Sequence, residues 1–492
     1  MLFNSIEFIV FFLITVMVYF LIPKKIRYIW LLITSFYFYM SWDAVYALLL
    51  LSVIFVTYVT AIKLNAINEN DQTIENKSKD KKIYASICIV VCILLLVYFK
   101  YLGFIFDNIN NVLGWFNKKG TLPVVDSFIP VGISFFVFQS VGYVIDVYRG
   151  DTKAEKNFAR YALFVSFFPQ LVAGPIERSK NLLKQLATPN DFSFEKAVDG
   201  VMLMLWGFFL KMVVADRIAI YVDTVYGDYP IYGGWYLIVA VMLFAIQIYC
   251  DFAGYSTIAM GAAKVMGFNL MDNFNAPYMA GNVSEFWHRW HISLSGWFRD
   301  YLYIPLGGNK KGTVRKYINI MVVFLVSGLW HGASWTFVIW GALNGLFQVV
   351  EALIGKKKRD NCKKPTIYKV GRALLTFLLV DFTWLFFRAN TLGDAINIIK
   401  SIVTADNINI FVDGSILKCG LNLPEFIVVL VGIGIIIFSD VCKYRGIVLR
   451  NVIARRGFLF KCVFVSLVVG AILLLGVWGA GYDANNFIYF QF

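Results

Sequence analysis

Charged residues are scarce in this sequence, and their scarcity excludes an ordinary soluble enzyme. Only 15% of the 492 residues are charged and 59% are hydrophobic, with a mean hydropathy of +0.68. A soluble domain is about half apolar and a quarter charged. Apolar runs of roughly the 17 to 25 residues that cross a bilayer recur from residues 6–22 to 463–477. The sequence therefore predicts an all-α, multi-pass protein of the cell membrane.

Several catalytic and transport signatures are also missing. There is no Gly-x-Ser-x-Gly turn, no nucleotide-binding Gly-rich loop, and no pair of acids spaced as in a glycosidase. The seven cysteines lie mostly in apolar runs without metal-ligand spacing, which favours core packing over a disulfide or metal role. No internal repeat indicates an inverted-repeat transporter. We expect no metal and no tightly bound cofactor, so catalysis would have to rest on histidine.

Positive charge is plentiful, with a formal net charge of +14, and it clusters in short loops. A nucleic-acid surface is the alternative, but short basic loops beside apolar spans are typical of the cytoplasmic face, so we expect no nucleic-acid partner. The chain then runs as a single domain, residues 1–492, with its N-terminus outside and roughly eleven spans, give or take two. The basic loops are residues 24–27, 77–82, 310–316, 356–364 and 443–456.

Two stretches do not fit a simple spanning helix. Residues 158–176 are interrupted by Pro169 and Pro175, and residues 252–268 are rich in glycine and alanine. Broken backbone at membrane depth is tolerated only inside protein or beside a cavity. Both stretches are predicted to be re-entrant or half-spanning segments, and residues 390–423 to form an external loop.

The three histidines, His288, His291 and His331, fall within 44 residues. Projected on one helix, residues 285–299 place five apolar side chains on one face and His288 on a polar stripe, with His291 at the boundary. A Trp-rich amphipathic helix typically lies in the membrane interface. Two interpretations stay open, an interfacial anchor with incidental histidines or part of a site.

His331 lies in an apolar run, residues 318–350, that is long enough for two spans. An ionisable group at membrane depth indicates function by default, and burial favours the neutral imidazole, which can accept a proton. Gly328, Gly332 and Ala333 would offer small surfaces for a substrate. The alternative is a core histidine whose ring is satisfied by a backbone carbonyl.

Six ordered motifs resemble the membrane-bound O-acyltransferase (MBOAT) family, and more narrowly its alginate O-acetyltransferase (AlgI-like) branch. The similarity extends over nearly the whole chain, to residues 487–492. The motifs are Pro130-Val-Gly-Ile-Ser-Phe-Phe-Val-Phe-Gln139, Leu171-Val-Ala-Gly-Pro-Ile-Glu-Arg178, Asp251-Phe-Ala-Gly-Tyr-Ser256, Phe286-Trp-His-Arg-Trp-His-Ile-Ser-Leu-Ser295, Arg299-Asp-Tyr-Leu-Tyr-Ile-Pro-Leu-Gly-Gly-Asn309 and Gly328-Leu-Trp-His-Gly332.

The resemblance implies a helical bundle around a central tunnel and an acyltransferase with His331 and His291 as catalytic residues. His288 stands where the family usually has Arg or Asn, so it receives no catalytic role. Thr257 stands where relatives commonly have a second acid, which puts a two-carboxylate role there in doubt. His331 is expected to act as general base, while His291 or a backbone amide polarises the oxyanion. A covalent acyl relay is the alternative.

The function that the resemblance implies is acetyl transfer from a cytoplasmic thioester, acetyl-CoA, to a polysaccharide outside the membrane, with a separate extracytoplasmic partner. Arg299, Lys310, Lys311 and Arg315 are candidate contacts for the donor's phosphates, although positive-inside topology also accounts for each of them. The alternatives are D-alanyl transfer to teichoic acid, as in the DltB-like branch, and a transporter without chemistry.

Overall fold

The computed structural model describes residues 1–69, 74–116, 122–123, 129–354, 365–478 and 487–488, and all regular structure within these ranges is helical. The α-helices are α1 (Ile6–Leu21), α2 (Arg27–Met40), α3 (Ala44–Glu69), α4 (Ile74–Leu96), α5 (Leu102–Trp115), α6 (Ile133–Arg149), α7 (Phe158–Ser166), α8 (Phe168–Leu171), α9 (Ser179–Ala187), α10 (Phe194–Phe208), α11 (Asp216–Gly227), α12 (Trp235–Val265), α13 (Val283–Arg289), α14 (Ile292–Phe298), α15 (Thr313–His331), α16 (Trp335–Ile354), α17 (Thr366–Arg388), α18 (Leu392–Val403), α19 (Leu423–Tyr444), α20 (Leu449–Ala454) and α21 (Phe458–Leu475).

Nine helical stretches within the described ranges are long and apolar enough to cross a membrane. Two of them, Ser78–Trp115 and Phe194–Gly227, each join two α-helices through a π-helical turn. Helix α1 is a shorter apolar helix of 16 residues. The predicted all-α, multi-pass fold is confirmed, and the number of spans lies within the range of roughly eleven, give or take two, that bilayer thickness suggested.

Local sequence explains where several helices begin. Ser5 accepts a hydrogen bond from the backbone N–H of Phe8, which satisfies one of the free donors at the start of α1. Helices α18 and α19 begin with capping boxes built on Thr391 and Asn422. The predicted external loop, residues 390–423, therefore contains the amphipathic helix α18 rather than irregular chain alone.

The contacts divide the chain into two compact units. The first contains Met1–Gly200 and Ala259–Met271, and the second contains Val201–Ile258 and Asp272–Phe492. The proposal of a single domain over residues 1–492 stays a prediction.

The predicted break in residues 158–176, in the first unit, is confirmed. Helix α7 ends at Ser166 and α8 is a single short turn. The carbonyl of Phe164 accepts hydrogen bonds of 2.7 Å from both Gln139 and Gln170, and the N–H of Phe168 donates to Ser35 Oγ at 3.1 Å. Buried side chains thus satisfy backbone groups that the interrupted helix leaves open, as broken backbone away from water requires.

The prediction for residues 252–268 is wrong. Residues 252–265 continue α12, an uninterrupted helix of 31 residues. Small residues here serve close packing rather than a break, because a Cβ at Gly254 would press on the backbone carbonyl of Gly207. Glycine content by itself does not distinguish a helix interruption from a helix that packs closely against a neighbour.

Helices α15 and α16, in the second unit, form a closely packed pair, and His331 is the last residue of α15. A Cβ on Gly328 would overlap the carbonyl of Phe337, and a Cβ on Gly341 would overlap the carbonyl of Phe324. Glycine at these two positions therefore allows the backbones to approach, as is common between helices in membranes. The two spans predicted within residues 318–350 are confirmed.

Candidate active site

His331 is the last residue of α15 and is buried, with 6% of its surface exposed. Its ring makes edge contacts with three aromatic rings, at centroid distances of 4.9 Å to Trp330, 5.0 Å to Trp340 and 5.2 Å to Phe387. Apolar rings on several sides exclude water and lower the local dielectric constant, so any hydrogen bond or charge at this imidazole has a large energetic effect.

The predicted small surfaces beside His331 are filled by protein. A Cβ on Gly332 would overlap the ring of Phe337, and a Cβ on Gly328 would overlap the backbone carbonyl of Phe337. The expectation that these two glycines leave room for a substrate is therefore wrong. They are small because Phe337 packs against them.

His291 occupies the turn between α13 and α14, and its backbone is strained. Its φ of 43° and ψ of 55° lie in the left-handed region, which costs a non-glycine residue about 1 to 3 kcal/mol and occurs often at functional sites. The ring is 1% exposed and packs edge-on to Phe252 at 4.7 Å. The residue lies outside the candidate spans, and burial lowers the pKa of His291 to about 3, so the imidazole is neutral at physiological pH.

Trp330 brings the two predicted catalytic histidines into one cluster. Its ring contacts His331 at 4.9 Å and His291 at 6.0 Å, both edge-on. Because α15 carries Trp330 and His331 while the α13–α14 turn carries His291, packing between distant segments brings the pair together.

Asn273 holds the other side of the His291 ring. Its side-chain oxygen accepts hydrogen bonds from the backbone N–H and hydroxyl of Ser293, at 3.2 and 2.7 Å, and lies 3.4 Å from Nδ1 of His291. Its amide nitrogen donates to Ser256 Oγ at 3.1 Å. The backbone N–H of Ser293 can only donate, so the Asn273 amide atom that faces it must be the oxygen and the other must be the nitrogen.

This network indicates the tautomer of His291. The Ser293 hydroxyl already donates its proton to Asn273 and lies 3.5 Å from Nδ1 of His291. Nδ1 therefore faces two acceptors, the Asn273 oxygen and the Ser293 oxygen, which favour a proton on Nδ1. The lone pair of the neutral ring is then on Nε2, where it can accept a hydrogen bond from a substrate.

Residues 285–299 do not form the single helix on which the interfacial interpretation rested. The strained turn at His291 divides them into two short helices. The expected apolar side chains are buried inside protein: Trp287, Trp290, Leu294, Trp297 and Phe298. His288 is exposed, and its Nδ1 lies 2.6 Å from the carbonyl of Ser284, away from the buried cluster. The interfacial interpretation is therefore wrong, although the division into apolar and polar positions holds.

The four candidate donor-binding cations are exposed, whereas His291 and His331 are buried. Arg299 forms a 2.9 Å ion pair with Asp300, and Lys310, Lys311 and Arg315 lie around the turn before α15 and in its first turn. His331 ends the same helix, about 24 Å from Arg315 at 1.5 Å per residue. A donor that met both ends would have to extend along most of α15.

A second buried polar group lies in the same unit and was not predicted. The ammonium group of Lys211 is 2.8 Å from Asp216 and 2.6 Å from Asp251, and all three side chains are at most 5% exposed. Asp251 also accepts a hydrogen bond from the backbone N–H of Ile488 at 2.9 Å. The acid that accompanies Asp251 in this group is Asp216. Thr257, at the position where relatives commonly have a second acid, instead donates a hydrogen bond to the carbonyl of Ala253 in its own helix.

Sequence reasoning missed Asn273, Ser293 and Ser256 as the support of His291. Ser256 and Ser293 lie in two of the six motifs that resemble the family, residues 251–256 and 286–295, so these motifs already pointed to both serines. Asn273 lies in a segment without periodicity or motif, and only its complete burial in the structure points to it, because a buried amide needs partners.

Comparisons with known proteins give consistent matches. The model of the MBOAT, membrane-bound O-acyltransferase family, matches residues 34–385. The probable alginate O-acetylase AlgI of Pseudomonas syringae is 38% identical over 377 residues, which are 76% of this chain and 69% of that protein.

Two further relatives differ from each other both in the transferred group and in the acceptor that their names state. The peptidoglycan O-acetyltransferase of Helicobacter pylori is 32% identical over 416 residues, 79% of this chain and 75% of that protein. The teichoic acid D-alanyltransferase of Streptococcus thermophilus is 31% identical over 252 residues, only 47% of this chain and 59% of that protein.

Proposed function

Because this chain belongs to the membrane-bound O-acyltransferase family, we propose that it moves an acetyl group from a cytoplasmic thioester, acetyl-CoA, to a polysaccharide outside the membrane. As a member of this family, the chain is a multi-pass acyltransferase of the cell membrane. Acetyl is favoured over D-alanyl because the two relatives named for acetyl groups each match more than three quarters of this chain, whereas the D-alanyltransferase matches less than half.

The observation that carries the proposal is the pair of buried imidazoles, His291 and His331, whose rings both contact Trp330. Acyl transfer to a hydroxyl needs a base for the hydroxyl proton and a dry site in which the thioester is not hydrolysed. The aromatic rings around His331 supply such surroundings.

In the proposed reaction, neutral His331 takes the proton of the acceptor hydroxyl as its oxygen attacks the thioester carbonyl carbon. The tetrahedral oxyanion collapses, the carbon–sulfur bond breaks, and the imidazolium of His331 protonates the departing thiolate. The products are an acetyl ester and a free thiol, and His331 returns to its neutral form. General acid–base catalysis of this kind contributes about a hundredfold to ten-thousandfold in rate.

His291 is assigned a different part from the one first expected. With its proton on Nδ1, facing Asn273 and Ser293, its Nε2 accepts a hydrogen bond and does not donate one to an oxyanion. We therefore assign polarisation of the oxyanion to a backbone amide. His291 then orients the substrate by accepting a hydrogen bond from it.

The direction of transfer follows from the topology that the basic loops predict. Exposed Lys310 and Lys311 would face the cytoplasm, where the donor is made, and the acetyl group would leave on the other side through a tunnel. Arg299, Lys310, Lys311 and Arg315 remain the proposed contacts of the donor phosphates, and a separate extracytoplasmic protein is the proposed partner for delivery to the polysaccharide.

The decisive experiment compares ester-linked groups on purified cell-surface glycans from cells with the gene, without it, and complemented with wild type or His331→Gln. We expect O-acetyl groups to disappear without the gene and to return only with wild type. Unchanged O-acetyl content together with loss of D-alanyl esters would replace this proposal by the D-alanyl alternative. Incorporation of label from radioactive acetyl-CoA by membranes tests the donor directly.

A further inference from the structure

All residues that line a basic cavity belong to the first unit, whereas the histidine cluster belongs to the second. The volume of the cavity is about 310 Å³, and it is bordered by the end of α1, the start of α2, the start of α7 and the end of α9. The described residues that line it include four cations, Lys24, Lys25, Arg27 and Arg160, and no carboxylate. A concave surface with this charge is suited to an anion.

Arg27 fixes positive charge in the wall of this cavity. It is 8% exposed, and its guanidinium donates to three backbone carbonyls, those of Phe20, Ile22 and Asn190. The group also lies against the ring of Tyr19, 5.2 Å from its centroid. Carbonyl groups orient the guanidinium without neutralising it, so its field extends into the cavity.

Lys24 is held less firmly than Arg27. It pairs with Asp191 at 2.6 Å, with side chains 48% and 78% exposed, and such solvent-exposed pairs contribute about 0 to 1 kcal/mol, so an incoming phosphate with more charge can compete for Lys24. Arg160 is part-buried and donates to both oxygens of Glu155, at 3.2 and 3.3 Å, which holds it at the cavity wall. Lys25 is exposed beside them.

The surroundings of the cavity are apolar. Leu21, Ile26 and Ile29, beside the lining residues, are exposed by 84%, 46% and 39%, as expected of side chains that face lipid. Tyr28, Leu31 and Phe268 add apolar surface to the lining itself. A ligand that fits combines an anionic head with hydrocarbon chains, whereas a fully hydrated anion gains nothing from this apolar rim.

We propose that this cavity binds the phosphate headgroup of an anionic phospholipid, with the acyl chains lying along the exposed ends of α1 and α2. Basic pockets between membrane helices are suited to such headgroups, and each Lys or Arg near an anionic membrane surface contributes about 1 kcal/mol, or about fivefold in affinity. The site is independent of the acyl-transfer chemistry.

The test measures the thermal stability of the purified full-length protein in a mild detergent while phosphatidylglycerol is added, with phosphatidylcholine of the same acyl chains as the comparison. Phosphatidylglycerol should raise the melting temperature in a saturable, salt-sensitive way, and phosphatidylcholine should not. Lys25→Gln and Arg160→Gln should each weaken the apparent affinity about fivefold, and Lys25→Arg should restore it. Arg27 is left unchanged because it holds three carbonyls in place.

The matched control is Lys196→Gln, which removes an exposed cation of the same unit outside the cavity and should respond like wild type. An equal loss of affinity in this control would mean that surface charge alone attracts the lipid, and the proposal would fail. It would also fail if phosphatidylcholine gave the same shift, or if coenzyme A or inorganic phosphate alone reproduced the shift in full. Failure here leaves the acetyl-transfer proposal untouched, because glycan acetylation is measured separately.

Discussion

His331 and His291 differ in what surrounds them, and the difference suggests different parts in the reaction. His331 ends a spanning helix among aromatic rings, whereas His291 lies in a strained turn with polar support from Asn273. Strain at a buried residue persists only when its surroundings over-determine the conformation.

Replacing His331 by Gln should lower the rate of acetyl transfer by about a hundredfold to ten-thousandfold, because an amide cannot act as the base. The melting temperature should stay near that of wild type, since Gln adds no buried charge. His331→Ala should be equally inactive. The measurement is turnover of labelled acetyl-CoA in membranes matched for protein content.

His288 provides the matched control for both histidines. Its ring is exposed and bonded to its own helix, so His288→Arg should have only a weak effect, whereas His291→Ala should impair activity strongly. A larger loss in His288→Arg than in His291→Ala would show that the roles are wrongly allocated. Turnover in both variants at position 331 would remove the general-base assignment.

Asn273 is predicted to be a positioning residue that acts through His291. Asn273→Ala removes the acceptor facing Nδ1, so kcat should fall about tenfold or more, corresponding to about 1.4 kcal/mol of barrier, with little change in KM. Asn273→Asp keeps an acceptor but adds a negative charge, which favours the imidazolium and raises the pKa of His291 from about 3.

The pH profile distinguishes this role from a purely structural one. Activity that requires neutral His291 is lost as pH falls through its pKa, so a raised pKa moves the acid limb of the Asn273→Asp profile to higher pH. Wild type should show no titration of His291 above pH 5. An Asn273→Asp enzyme with the wild-type acid limb, measured at equal stability, would contradict the proposed coupling.

At the scale of elements, the close approach of α15 and α16 determines where His331 lies. Gly328 and Gly341 each fill a position in which a Cβ would meet a backbone carbonyl of the other helix. Backbone carbonyls cannot move aside as flexible side chains do. The helix pair would have to separate, and His331, at the end of α15, would move with it.

Gly328→Ala should therefore destabilise the protein by about 1 to 3 kcal/mol, the usual cost of overpacking, and lower activity as well. The control is Gly434→Ala in α19, where an added Cβ meets nothing within 4 Å and where Ala should be neutral or slightly stabilising. Thermal unfolding in detergent and transfer assays measure both variants. Equal stability of the two would show that the α15–α16 packing tolerates a methyl group.

At the scale of the whole molecule, the proposal requires the donor and the acceptor to meet the protein on opposite sides of the membrane. Asn309 lies in the basic turn before α15, and Asp413 lies in the segment between α18 and α19. Both are exposed, so a reagent can reach either one from its own side. The basic loops predict that Asn309 lies inside and Asp413 outside.

Single cysteines at these two positions test that sidedness, in a background from which all seven native cysteines have been removed. In intact cells, a membrane-impermeant thiol reagent should label Asp413→Cys and leave Asn309→Cys unlabelled until the cells are opened. Labelling of both after opening is the control for accessibility. The opposite pattern in intact cells would reverse both the topology and the direction of acetyl flow.

The sequence by itself determined the class of fold, because long apolar segments in lipid must satisfy their backbone groups internally and therefore become helices. Its motifs indicated the family and singled out His291 and His331. Local composition gave less reliable guidance where it was used to predict breaks: prolines correctly marked the break near Pro169, but glycines near Gly254 belong to a continuous helix.

Only the tertiary structure decided which side chains meet. Asn273 lies 18 residues before His291 in the sequence yet hydrogen-bonds around its ring, and Trp330 reaches the same ring from another helix. A left-handed turn at His291 cannot be read from helical periodicity, because the side chains that surround it include Phe252, Asn273 and Trp330, which come from other segments. The basic cavity around Arg27 is likewise formed by segments far apart in the chain, since long-range packing, and not local pattern, determines which charges face one another.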